Sequence, residues 1–108
     1  LTYVLEMAHI IKKYKMHFLL DFHYSDYWAD PGQQNKPDAW KNLSFDELKE
    51  AVHKYTYDVL YRLKIMDCVP DMVQIGNEIR SGMLFPDGAV PQYLHGFEGY
   101  YEQAHKII

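Results

Sequence analysis

The chain has 108 residues, of which 48% are hydrophobic and 24% are charged, and its formal net charge is -4. This balance gives no basic surface for nucleic acid, and no apolar run approaches the roughly 20 residues of a membrane-spanning helix. A single cysteine, Cys68, excludes a disulfide within the chain. Aromatic residues make up 16% of the chain. They suit a cleft that binds sugar faces, although a packed core also uses aromatic rings.

The first part of the chain is predicted to be a helix followed by a strand. Apolar periodicity indicates a helix over residues 1–14 and a strand over residues 17–24. Alternation along that strand places Asp21 and His23 on one side. Because a carboxylate and an imidazole are costly to bury beneath helices, we expect both on the opposite face, near the end of the strand. They would contact a substrate or form a structural pair that orders the next loop, and the two roles are compatible.

Residues 25–43 form a long predicted loop, and loops of this length inside a compact domain are usually functional. Trp28 is a candidate platform for stacking on a sugar ring, because an indole presents a large flat apolar face. Trp40 is expected to fix the loop to the domain instead. Asp26 is a further candidate for contact with a substrate.

The second half of the chain repeats the alternation of helix and strand. A helix is predicted over residues 45–65, where Ser44 and Glu47 have the spacing of a capping box. A strand is predicted over residues 71–78, and a last helix from about residue 92 to the end. Strands that alternate with helices favour a parallel sheet with right-handed crossovers.

Glu78 is the strongest candidate for chemistry, because it ends a predicted parallel strand and a carboxyl can serve as a general acid. Asn77 could hold a substrate hydroxyl. Strict alternation would point these two side chains apart, so a shared site requires the strand end to bulge or twist. The small Gly76 leaves room for a ligand or a neighbouring side chain. The alternative is a simple turn in which Glu78 pairs with Arg80.

The sequence gives little reason to expect a metal or a cofactor. Asp21, His23, Asp26 and Asp30 are of the types that bind metals, but the His-x-x-Asp spacing is weak evidence for a metal site. Neither a phosphate-binding glycine loop nor a nucleophilic serine motif is present. We therefore expect no cofactor and no metal.

Two stretches resemble a known enzyme family. Residues 20–34, LDFHYSDYWADPGQQ, and residues 70–79, PDMVQIGNEI, are similar to segments of the endo-β-1,4-galactanases of glycoside hydrolase family 53. The resemblance extends over nearly the whole chain. The loop motif is specific to that family, whereas an Asn-Glu pair at a strand end belongs to a larger clan of barrel glycosidases.

The resemblance implies an α/β fold that is part of a (β/α)8 TIM barrel. The chain would run roughly from helix 2 to helix 4 of the barrel and would include strands 3 and 4. A complete barrel needs about 200 residues or more, so residues 1–108 would be part of a single catalytic domain that is truncated at both ends.

The resemblance also implies endo-hydrolysis of β-1,4-galactosidic bonds in type I arabinogalactan, a pectic galactan, with retention of configuration. Glu78 would be the catalytic acid/base that donates the proton. The substrate-binding residues would be Asp21, His23, Asp26, Trp28 and Asn77.

The implied mechanism needs two carboxylates, and the second of them lies outside this sequence. The nucleophile of the family is a glutamate on the seventh strand, so we expect the 108 residues alone to be inactive. The expected partners are the galactan polysaccharide and the remainder of the same barrel. The expected location is secreted or periplasmic, because the implied substrate is a polymer.

The sequence is compatible with two other functions. The chain could belong to another retaining barrel glycosidase of the same clan that acts on a different β-linked sugar. It could instead be a truncated, non-catalytic carbohydrate-binding module.

Overall fold

The computed structural model describes residues 1–90 and 106–108. The predicted last helix, from about residue 92, therefore lies almost entirely outside the described residues. The helices and strands are α1 (Thr2–Lys13), β1 (Leu19–Phe22), α2 (Phe45–Ile65), β2 (Met72–Ile75), β3 (Gly82–Met83) and β4 (Gly88–Ala89). Short 3-10 helices cover Asp38–Trp40 and Ile79–Ser81. No helix in these ranges is both long and apolar enough to cross a lipid bilayer.

Strands β1 and β2 are parallel neighbours, in a register that pairs Leu19 with Met72 and Phe22 with Ile75. Parallel strands need a long crossover, and α2 lies within it. The predicted parallel arrangement is therefore confirmed for these two strands. A second, two-stranded antiparallel pair joins β3 to β4.

Both long strands are shorter than predicted, which corrects the expected spans of 17–24 and 71–78. Tyr24 has a φ of +52°, and Gly76 has a φ of +85°. An extended strand needs negative φ, so the ladder stops before each of these positions. Glu78 therefore follows β2 by three residues and does not belong to the strand itself.

Helix α2 is held by its amino-terminal cap and by one apolar face. The Ser44 side chain accepts from the Glu47 N–H, and the Glu47 carboxylate accepts from the Ser44 N–H, as predicted. The buried side chains of this helix are Leu48, Val52, Val59 and Leu63. Burying an aliphatic side chain of this size stabilises a fold by roughly 1.5–3 kcal/mol, so this face dominates the packing of α2.

The two faces of β1 differ as the alternation predicts. Phe22 is buried against α2, and Leu20 packs partly against the same core. On the other face, Leu19 and its partner Met72 are exposed, while Asp21 is half-buried. The charged group thus lies on the face that no described helix covers.

The amino-terminal ends of the two strands are joined by Asp71. Its carboxylate accepts from His17 Nδ1 at 2.7 Å, from the Phe18 N–H at 2.9 Å and from Lys12 Nζ at 3.4 Å. These bonds, above all that from His17, hold the pKa of Asp71 well below its ordinary value. The cluster fixes α1 to the start of both strands, at the end opposite the carboxyl-terminal residues described next.

Candidate functional site

The carboxyl ends of β1 and β2 lie side by side, because Phe22 pairs with Ile75. In parallel α/β folds, binding and catalytic groups collect at this end of the sheet. All of the predicted site residues lie in the segments that follow the two strands, except Asp21, which is on β1 itself.

Asp21 and His23 form the predicted pair. His23 Nε2 lies 3.3 Å from Asp21 Oδ2. The other ring nitrogen, Nδ1, accepts a hydrogen bond from the Ala29 N–H at 3.1 Å. Because Nδ1 is an acceptor, the geometry assigns the ring proton to Nε2, the nitrogen that lies within ion-pair distance of the carboxylate. The pair thus orders the following loop through Ala29, which was one of the two predicted roles.

The second carboxylate oxygen of Asp21 has a different environment. Oδ1 is buried and has no hydrogen-bond partner within residues 1–90 and 106–108. A buried carboxylate oxygen is costly without a donor. Oδ1 is therefore a buried acceptor whose need for a donor the described residues leave unmet.

Ala29 connects the loop after β1 to the end of β2. Its side chain is fully buried, its N–H donates to His23, and its carbonyl accepts from Asn77 Nδ2 at 2.8 Å. Both polar atoms of one peptide residue thus bond to side chains predicted for the site. Ala29 gave no signal in the sequence, since a small apolar residue in a loop has no chemistry of its own.

Asn77 is held by several neighbours. Besides the bond from its amide to Ala29, its Oδ1 lies 3.4 Å from Gln74 Nε2, and its backbone carbonyl accepts from Gln34 Nε2 at 2.7 Å. The described contacts of the Asn77 side chain are thus to the protein. The predicted contact with a substrate stays a prediction.

Glu78 is exposed, and its backbone is left-handed, with φ 51° and ψ 43°. The strand end therefore departs from simple alternation, as a shared site would require. In the described part of the chain the Glu78 carboxylate has no hydrogen bond or ion pair, and the alternative pairing with Arg80 is absent. The carboxylate borders a surface concavity that Pro31, Ile79 and Arg80 also line.

Gly76 is small for a structural reason. A Cβ at this position would lie 2.7 Å from the Cγ2 atom of Ile79, and its φ of +85° disfavours other residues. The sequence left open whether a ligand or a neighbouring side chain occupies the space beside Gly76. In the structure the Ile79 side chain occupies it.

The loop residues divide into exposed and structural groups. Trp28 is 68% exposed and meets the His23 ring at a tilt of 66°, with centroids 4.7 Å apart. Asp26 Oδ2 accepts from the Asp38 N–H at 2.8 Å, which orders the loop. Trp40 packs against the rings of Tyr24 and Tyr55, so its expected structural role is confirmed.

The loop after β1 and the segment after β2 share an ion pair that the sequence did not predict. Lys36 Nζ lies 2.5 Å from Asp87 Oδ2, and the two side chains are only 9% and 22% exposed. Lysine and aspartate are common surface residues, so nothing in the pattern marks them as partners. The pair thus adds a second connection between the two segments.

The arrangement combines an unpaired carboxylate, an exposed indole and an Asp–His pair at one end of a sheet. Polar groups beside a flat aromatic ring suit a carbohydrate, which presents hydroxyls at its edge and C–H bonds on its face. Within the described ranges no three His, Cys, Asp or Glu residues are grouped as a metal site would need.

The chain is similar in sequence to one protein family and to several individual proteins. The family model described as glycosyl hydrolase family 53 matches residues 1–107. A protein of Niallia circulans, described as an uncharacterized protein in the bgaB 5' region, is 53% identical over 90% of this chain and 26% of its own length. Arabinogalactan endo-beta-1,4-galactanase A of Emericella nidulans is 41% identical over 86% of this chain and 27% of its own length.

Solved structures agree with the sequence relatives. The GH53 catalytic domain of Ignisphaera aggregans matches 96% of this chain with a TM-score of 0.80 and 45% identity, over 29% of its own length. A structure from work on two fungal beta-1,4-galactanases matches 98% of this chain with a TM-score of 0.82 and 33% identity, over 30% of its own length. The chain thus spans between 26% and 30% of the length of these four relatives.

Proposed function

Because the chain belongs to glycosyl hydrolase family 53, we propose that the protein carrying it cleaves β-1,4-galactosidic bonds inside galactan chains of type I arabinogalactan. Relatives from Emericella nidulans and Thermothelomyces thermophilus are named arabinogalactan endo-beta-1,4-galactanases, at 41% and 40% identity. We propose that these residues form part of a (β/α)8 barrel, since the described strands are parallel and the structural neighbours are barrel proteins.

Glu78 is the catalytic acid/base in this proposal. The supporting observation is its exposed, unpaired carboxylate just beyond the carboxyl end of a parallel strand. As an acid it protonates the oxygen of the departing sugar, and as a base it takes a proton from the incoming water. A retaining mechanism needs a second carboxylate about 5–5.5 Å away. We infer that this nucleophile is supplied by a part of the protein outside these 108 residues.

The substrate is held, in this proposal, by groups around Glu78. Trp28 offers its indole face to a galactose ring, and His23, Asp21, Asp26 and Asn77 contact hydroxyl groups. The Asp21 side chain is 27% exposed, and its carboxylate is suited to accept a hydrogen bond from a hydroxyl. A polymeric substrate places the protein outside the cytoplasm, in a secreted or periplasmic location.

The test is Glu78→Gln in the full-length protein. Release of reducing ends from galactan should fall by roughly a hundredfold to ten-thousandfold, the usual contribution of general acid–base catalysis. Glu50→Gln is the matched control, because Glu50 is an exposed glutamate on α2 and should have no effect. Near-normal turnover by Glu78→Gln would contradict the assigned role.

Two further measurements separate the alternatives. Product analysis on galactan, mannan, xylan and glucan distinguishes a galactanase from another retaining glycosidase of the clan. The anomeric configuration of the first product, followed by NMR, tests retention. Tight binding of galactan without any release of reducing ends would instead support a non-catalytic carbohydrate-binding module.

A further inference from the structure

Gln34 is a polar residue with only 2% of its surface exposed, although its neighbours in the loop, Gln33 and Asn35, are exposed. Its side-chain Nε2 donates to the Asn77 carbonyl at 2.7 Å. Its own backbone carbonyl accepts from the Phe85 N–H, also at 2.7 Å. Buried polar groups need hydrogen-bond partners. Those of Gln34 are Asn77, which precedes Glu78 in the sequence, and Phe85, which follows it.

The carbonyl that Gln34 binds belongs to the peptide that joins Asn77 to Glu78. The orientation of this peptide plane is set in part by φ of Glu78, which is +51°. Residues with a Cβ atom disfavour this left-handed region, because the Cβ crowds the backbone. Such a conformation persists only when surrounding contacts fix it.

Three of the contacts that fix it come from one short segment of the loop, residues 29–34. Ala29 holds the Asn77 side chain, and Gln34 holds the Asn77 carbonyl. After Glu78, the Ser81 hydroxyl donates to the Pro31 carbonyl at 2.6 Å. The Glu78 side chain makes no polar contact with the described residues, so its neighbours and their loop partners determine its position.

We propose that Gln34 is a positioning residue for Glu78. Its hydrogen bond orients the peptide plane between Asn77 and Glu78, and thereby aims the Glu78 carboxyl at the oxygen of the scissile bond. The inference rests on the proposed function, and it adds a role for a residue that does not touch the reacting atoms. Removing the bond allows Glu78 to relax, so the carboxyl donates its proton less efficiently.

The test compares two substrates that depend differently on the acid. Galactan has a poor leaving group and needs a proton from Glu78, whereas a 2,4-dinitrophenyl β-1,4-galactobioside releases a stable phenolate without one. The value of kcat/KM reports the first bond cleavage for both. The variants are Gln34→Met, which keeps the side-chain size, and Gln33→Met as the control. Gln33 is exposed and bonds only within its own turn, to Asp30.

For Gln34→Met, kcat/KM on galactan should fall on the order of tenfold to a hundredfold, as for other small displacements of a catalytic group. On the dinitrophenyl substrate it should fall by less than about threefold. Gln33→Met should leave both values unchanged. Equal losses on the two substrates, or no loss on galactan, would overturn the inference.

Gln34→Glu keeps the inference testable if Gln34→Met does not fold. Glutamate has the same shape, but its ionised carboxylate cannot donate to the Asn77 carbonyl, whereas the protonated acid can. Relative to wild type, galactan cleavage by Gln34→Glu should therefore recover at low pH, with folding checked by thermal unfolding at each pH. A constant ratio across pH would overturn the inference.

Failure of the proposed function gives a different result. If the wild-type protein releases no product from galactan, or Glu78→Gln is fully active, the proposed function is wrong. If the wild-type protein is active and Glu78→Gln is inactive, but Gln34→Met behaves like Gln33→Met, only the positioning role is wrong.

Discussion

The side-chain amide of Asn77 donates a hydrogen bond to the Ala29 carbonyl at 2.8 Å, across 48 residues of sequence. Because the Ala29 N–H also donates to His23, one buried peptide residue joins the loop after β1 to the segment after β2. The Asp–His pair and the Asn-Glu pair are thereby held in a fixed relation, although no direct contact between the pairs is described.

Asn77→Asp should destabilise the protein, because an ionised carboxylate has no N–H to give to the Ala29 carbonyl. Leaving this buried carbonyl acceptor without a donor costs about 1–3 kcal/mol. Urea unfolding of the full-length protein measures this loss of stability. Asn42→Asp is the control, since Asn42 is exposed, and equal stability of the two variants would contradict the prediction.

Trp28→Ala should weaken substrate binding more than it slows chemistry. An aromatic contact is worth about 0.5–1.5 kcal/mol beyond its buried area, so KM for galactan should rise roughly threefold to tenfold while kcat changes little. Tyr27→Ala is a matched control, because Tyr27 is a neighbouring aromatic residue that is 80% exposed. A fall in kcat at constant KM, or the same rise in KM for Tyr27→Ala, would show that Trp28 is not the platform.

Lys36→Met should be strongly destabilising, since it leaves the half-buried Asp87 carboxylate without its partner. Breaking a buried ion pair costs about 3–5 kcal/mol, and replacing both charges by apolar groups recovers much of the loss. The double variant Lys36→Met/Asp87→Leu should therefore be more stable than Lys36→Met alone by urea unfolding.

The control for this pair is Lys41→Met. Lys41 pairs with Asp38 at 2.6 Å, but both side chains are exposed. Exposed pairs contribute little to stability because water screens them, so this variant should be nearly as stable as the wild type. An equal loss for Lys36→Met and Lys41→Met would show that burial of the Lys36–Asp87 pair is unimportant.

The protein should become less stable in acid, because protonation of Asp71 removes a stabilising interaction. Its pKa in the folded state is lowered, first by the hydrogen bond from His17, then by the Phe18 N–H and by Lys12. The unfolded chain, with an ordinary aspartate pKa of about 3.9, therefore takes up a proton at higher pH than the folded chain does. The stabilisation is complete above that pKa and is lost as pH falls below it.

The measurement is the melting temperature of wild type and Asp71→Asn between neutral and acid pH. Asp71→Asn should melt lower than wild type at neutral pH, and the difference should shrink as the pH falls below about 4. Asp67→Asn is the control, because the exposed Asp67 side chain has no described partner. A difference between Asp71→Asn and wild type that stays constant with pH would contradict the assignment.

The helices and the order of elements could be predicted from the sequence because their signals are local. Helix α2 begins and ends at the predicted residues, since Ser44 and Glu47 form the cap and the apolar period continues to Leu63. The Asp21–His23 pair also followed from alternation, because residues two apart on a strand share a face. These features depend on neighbours within a few positions.

The remaining geometry depends on contacts that no local pattern encodes. Gln34 lies 43 residues from Asn77, and nothing distinguishes it from Gln33 in the sequence. The strands end early because Tyr24 and Gly76 adopt positive φ, which alternation of apolar residues cannot indicate. Glycine permits such a conformation, but tyrosine adopts it only where tertiary packing compensates.

The bonds from residues 29–34 to Asn77 and Ser81 have a consequence for protein engineering. Exchange of surface loops between relatives is a common way to transfer specificity, and it assumes that each loop is an independent module. Here the long loop and the segment around Glu78 form one module made of two stretches of sequence. A chimera that imports the loop alone would disturb the geometry around Glu78, so both stretches should be transferred together.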